Sequence, residues 1–126
     1  MARQTMRAIQ FHQYGGPEGL KLEEKPRPEP QAGEVLVRVY AAGVNPIDWK
    51  IRQGLMKNFQ PVTFPYTPGI ELAGVIEEVG PDVTAFEHRQ AVLGRCASGA
   101  YAEYLDRKST RLNSSHYTLS RMPSSA

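Results

Sequence analysis

The chain holds one cysteine, Cys96, one tryptophan, Trp49, and three histidines in 126 residues. A single thiol excludes an intrachain disulfide and any cysteine-rich metal site. No apolar run approaches the roughly 18 residues that a membrane-crossing helix needs. The opening MARQTMRAIQFHQY lacks the continuous apolar stretch of a secretory signal. A cytoplasmic location with no membrane partner is the expectation. A dinucleotide fingerprint is missing too. Gly15, Gly16 and Gly19 form the only glycine cluster near the start, and GGPEG does not read as G-x-G-x-x-G opening a helix.

An excess of one charge is also lacking through most of the chain. Residues 1–105 contain 11 Lys+Arg and 12 Asp+Glu, whereas the last 21 residues contain four Lys+Arg and one Asp. The net +2 therefore comes from the tail, as do six of the seven serines. Among residues 106–126 only Tyr117 is aromatic, and the basic density is low for a nucleic-acid arm. No nucleic-acid partner is expected. The tail carries no sustained apolar period and reads as a disordered segment. DRKSTRLNSSH and SRMPSSA can be back-translated, in order, into two stretches of a widely used short-read library adapter. Tyr117–Leu119 falls where a sample barcode would sit. The expectation is a native domain over residues 5–105 and a non-native tail over 106–126.

What is present points to short strands. Eleven glycines and ten prolines suit many tight turns. RAIQFHQ alternates and is rich in strand formers. GLKLEEKPRPEP reads as a short strand entering a proline-rich connector, where Pro26, Pro28 and Pro30 favour an edge. GEVLVRVYAAGV is the clearest strand, with Val35, Val37 and Val39 on one face and Leu36, Arg38 and Tyr40 on the other. IDWKIRQ reads as one or two helical turns ended by Gly54. GIELAGVIEEVG, QAVLGR and GAYAEYL supply further strands. Gly69, Gly74 and Gly80 mark bulges or close backbone approach along a curved wall. The fold class is mainly β, a small irregular barrel or sandwich.

AAGVNPIDWKIRQG, PYTPGIELAGVIEEVG and GAYAEYL together resemble the N-terminal, GroES-like domain of the medium-chain dehydrogenase/reductase superfamily. The branch is similar to the zinc-independent, zeta-crystallin-like quinone oxidoreductases. The resemblance implies a GroES-like irregular β-barrel. It also implies a full-length parent that transfers hydride from NADPH to a quinone or an activated alkene or carbonyl, as a homo-oligomer. An enoyl-thioester reductase of the same superfamily is a close alternative. The Rossmann domain that such proteins use for the cofactor is not in these residues, so the chain is expected to be inactive alone and not to bind NADPH tightly. An isolated barrel would also leave strand edges open to aggregation.

The resemblance sets candidate site residues. Zinc-dependent relatives have a cysteine where Asn45 stands and a histidine where Ile70 stands. An amide is a poor zinc ligand and an aliphatic side chain is none, so Glu71 alone makes no site and no metal is expected. Asn45 is the candidate catalytic and cofactor-binding residue, with Pro46 and Asp48 beside it on the cofactor side. The bland reading of Asn45 is a helix cap with Pro46 in the first turn. Tyr66, Ile70 and Glu71 are expected to shape the substrate cleft, Glu71 chiefly as a structural acid. Trp49 reads as packing and Arg52 as solvated. Arg89 departs from a family glycine turn and is strained if its φ is positive. The alternative from a different class is a stand-alone GroES-like β-module for protein association.

Overall fold

The computed structural model describes residues 4–109 and 119–122. Among the described residues seven strands and one α-helix follow one another as β1 (Thr5–Gln10), β2 (Lys21–Pro26), β3 (Glu34–Ala42), α1 (Pro46–Gln53), β4 (Glu71–Val79), β5 (Ala91–Arg95), β6 (Tyr104–Lys108) and β7 (Leu119–Arg121), with a single 3-10 turn at Pro17–Gly19 between β1 and β2. β1 and β2 form an antiparallel ribbon, and the other strands form a sheet in the order β6-β3-β4-β5-β7. Two further links join them. Ile9 N–H donates to the Tyr101 carbonyl at 2.8 Å, and Glu103 N–H donates to the Arg7 carbonyl at 3.1 Å. β1 thus lies along the lead-in to β6, and the whole is one curved wall. Among the described residues β2 and β7 do not pair, so the wall is open at those two edges. The proline-bearing β2 sits at an edge, as a strand lacking a ladder donor should.

The strands are where apolar alternation places them. Met6, Ala8 and Gln10 of β1 point inward. Val35 and Val37 share a core cluster with Leu72, Ile76, Val92 and Cys96. Leu36 is buried as well, on the opposite face of β3. The β3–β4 ladder shifts register at Leu36/Val37 and again at Val39/Ala41. Gly74 lies opposite Val39, where a Cβ would sit on the Arg38 carbonyl oxygen. This is the close backbone approach that a glycine in a strand interior permits. Arg27 ties β2 to the sheet. Its guanidinium stacks 4.2 Å from the Tyr104 ring centroid and reaches Glu77 at 3.7 Å and Glu78 at 3.6 Å.

Residues 106–109 and 119–122 are the described part of the segment read as a tail. Asp106–Lys108 complete β6 against β3, and Leu119–Arg121 pair with Val92–Gly94 of β5. The physical reason is that an exposed edge supplies backbone donors and acceptors to any extended chain, whatever its composition. Leu119 also packs on the core. Residues 110–118 and 123–126, which hold the rest of that expectation, lie outside the described residues.

Candidate functional site

α1 begins at Asn45, whose extended backbone (φ −125°, ψ 154°) marks the cap, and Pro46 occupies the first helical position. Asp48, buried in the first turn, accepts the Asn45 backbone N–H on Oδ2 at 2.8 Å. This is the carboxylate half of a capping box. The helix ends at Gly54 in the left-handed region, φ 86°. The cap reading of Asn45 holds, and the cleft reading turns on its side chain. Its backbone serves the helix, while its carboxamide Nδ2 is buried with no hydrogen-bond partner among the described residues.

Asn45 and Asp48 line a cleft of about 180 Å³ with Leu20, Val44, Trp49, Arg52, Pro68 and Tyr101. Its walls are largely apolar, and Val44 (84% exposed) and Trp49 (42% exposed) leave one side open to solvent. Trp49, expected to be packing, is a rim residue. Arg52, expected to be solvated, is half-buried and donates Nε to the Gly15 carbonyl at 3.2 Å.

Tyr101 is the residue that sequence reasoning missed. Its hydroxyl donates to Asp48 Oδ2 at 2.9 Å, the same oxygen that holds Asn45 N–H. Burial, then the hydrogen bond and charge of Asp48, push its pKa up to about 12. Nothing local in GAYAEYL marks this contact, because Asp48 lies 53 residues away.

The other expected residues divide. Glu71 is half-buried and adjoins Asn45: a Cβ on Gly43 would meet Glu71 Oε2 at 2.7 Å and Asn45 Nδ2 at 3.5 Å. Its carbonyl accepts Gly43 N–H at 3.0 Å, fixing the loop that leads to Asn45. Pro46 is exposed at the helix start and does not line the cleft. Ile70 faces a separate cavity of about 160 Å³ with Ile47, Ile51 and Cys96. There the Cys96 thiol, raised in pKa chiefly by burial, donates to the Gly69 carbonyl at 3.4 Å. Tyr66 lies on a broader groove and bridges Phe11, with rings 5.2 Å apart. Of the expected residues, then, Asn45 and Asp48 line the cleft, Glu71 adjoins Asn45 without lining it, and Pro46, Ile70 and Tyr66 lie outside it. No group of three or more His, Cys, Asp or Glu that could hold a metal occurs among the described residues.

The profile of the alcohol dehydrogenase GroES-like domain matches residues 31–114. The chain belongs to that family. A chloroplastic quinone oxidoreductase of Triphysaria versicolor is 41% identical over 108 residues, covering 82% of this chain and 33% of the relative. The quinone oxidoreductase of Rattus norvegicus is 43% identical over 104 residues, 81% of this chain and 31% of the relative. The solved quinone oxidoreductase of Coxiella burnetii superposes with a TM-score of 0.71 at 35% identity, over 83% of this chain and 35% of that one. The GroES-like domain seen here thus spans about a third of the length of the curated relatives it matches. Its homologues are quinone oxidoreductases of the medium-chain dehydrogenase/reductase superfamily.

Proposed function

We propose that this chain is the substrate-side wall of an NADPH-dependent, zinc-independent oxidoreductase that reduces a quinone or an activated alkene. The observation that carries the reading is the buried, unpartnered Asn45 Nδ2 in an apolar cleft. A buried donor without a partner is costly, and a turn of the carboxamide toward the cleft that Asn45 lines would let a ligand oxygen satisfy it. That orphan donor fits a nicotinamide nucleotide or a quinone carbonyl equally well by chemistry. Asn45 would hold the ligand, and Asp48 would fix the turn that carries Asn45. A bound nicotinamide supplies the hydride. The chain's own groups bind, orient and exclude water, with Leu20, Val44 and Pro68 forming the dry wall.

Zinc independence rests on the donor set. At the two positions that resemble ligand sites of zinc-dependent relatives stand Asn45 and Ile70, and neither offers thiolate, imidazole or carboxylate. The enoyl-thioester alternative gains a cleft tyrosine in Tyr101. Its hydroxyl proton, however, is already given to Asp48, and a pKa near 12 disfavours release at neutral pH. The same proposal places the native domain at residues 5–105, treats 106–126 as adapter-derived, and has the full-length protein cytoplasmic and homo-oligomeric.

The first test is a clean genomic read beyond codon 105, together with a titration of this chain with NADPH. A continuing frame that encodes a Rossmann glycine motif, and no tight binding by the isolated chain, are expected. A frame that ends at Ala126, or submicromolar NADPH affinity of the chain alone, would sink the proposal.

A further inference from the structure

We infer that Tyr101 is a positioning residue of the Asn45 cleft: by donating its hydroxyl to Asp48 Oδ2 it holds the first turn of α1 so that the Asn45 carboxamide faces the ligand. This rests on Asn45 being the donor of the cleft, as proposed above.

The geometry is one atom wide. Asp48 Oδ2 accepts the Asn45 backbone N–H at 2.8 Å and the Tyr101 hydroxyl at 2.9 Å. A carboxylate oxygen has room for both donors, and Asp48 is buried, so few waters compete. Tyr101 itself is held by other elements. Its N–H donates to the Pro68 carbonyl at 3.0 Å, and its carbonyl accepts Ile9 N–H from β1 at 2.8 Å. The hydroxyl is therefore placed by β1 and the segment before β4, not by α1. Through Asp48 that external frame is passed to the helix cap. Gly69 makes the arrangement possible, since it leaves room for the Tyr101 ring. Phenylalanine at 101 would keep the ring and its packing and remove only the hydroxyl, so the substitution isolates the role.

The test is amide hydrogen exchange by NMR on this chain, comparing wild type with Tyr101→Phe. Exchange at Asn45 N–H is expected to speed up about tenfold, while exchange at Gly54 N–H, at the far end of α1, stays the same. A general loss of stability would speed both. A second variant, Asp48→Asn, removes the charge that faces Tyr101. The tyrosine titration near 12 is then expected to move down. Unchanged exchange at Asn45 in Tyr101→Phe, equal acceleration at Gly54, or an unmoved titration in Asp48→Asn would each overturn the inference. None of these readouts involves NADPH or a quinone, so the proposed oxidoreductase function stands or falls separately.

Discussion

The Tyr101 ring rests directly against Gly69. A Cβ at position 69 would meet Tyr101 Cδ1 at 2.6 Å and Ala100 Cβ at 2.9 Å, and Gly69 itself has φ +107°. Both the conformation and the space require glycine. Gly69→Ala is expected to destabilise the chain by about 2 kcal/mol or more, combining a disfavoured φ with overpacking. Urea unfolding midpoints measured at one pH check this, with an unchanged m-value expected.

Arg89 presents the opposite case. It adopts φ 70° while donating its N–H to the Ile76 carbonyl at 2.7 Å. An L-residue pays about 1–2 kcal/mol for that conformation. Glycine removes the penalty but returns roughly 0.4–1 kcal/mol in unfolded-state entropy. Arg89→Gly is therefore expected to stabilise by about 0.5–1 kcal/mol, read as a higher thermal midpoint. A lower midpoint would show that the arginine side chain contributes more than the turn costs.

The raised pKa of Tyr101 gives a pH dependence of defined sign. Below about pH 10 the tyrosine is protonated in both folded and unfolded chains and contributes no slope. Between about 10 and 12 the unfolded chain loses the proton while the folded chain keeps it, so stability falls as pH rises. Tyr101→Phe is expected to flatten that alkaline decline. Urea midpoints taken across this range, with wild type and variant in parallel, decide it. Parallel curves would count against a half-buried, Asp48-bonded hydroxyl.

Much of the wall was legible in the sequence. The alternation of Val35, Val37 and Val39, the proline at the end of β2 and the glycine ending α1 each have a local cause, because side-chain period and backbone chemistry act within a few residues. Gly74 was readable as a close approach, although its partner, the Arg38 carbonyl, was not. Asn45 and Asp48 emerged from their place in one short motif. Tyr101, by contrast, enters the cleft through a contact between segments 53 residues apart, and Ile70 and Tyr66 turn to other cavities. Ile70 and Tyr66 lie in the irregular segment before β4, where no regular side-chain period reveals which way a residue points. The strand at Leu119–Arg121 was not legible for a different reason: pairing at an edge depends on backbone, which composition does not reveal.

The central claim is that Asn45 is the ligand-facing donor of a reductase cleft. Its most direct test is the steady-state kcat/KM for NADPH-dependent quinone reduction by the full-length protein, wild type against Asn45→Ala. A loss of about a hundredfold with unaltered thermal stability is the expected result. Equal kcat/KM in the two proteins would contradict the account.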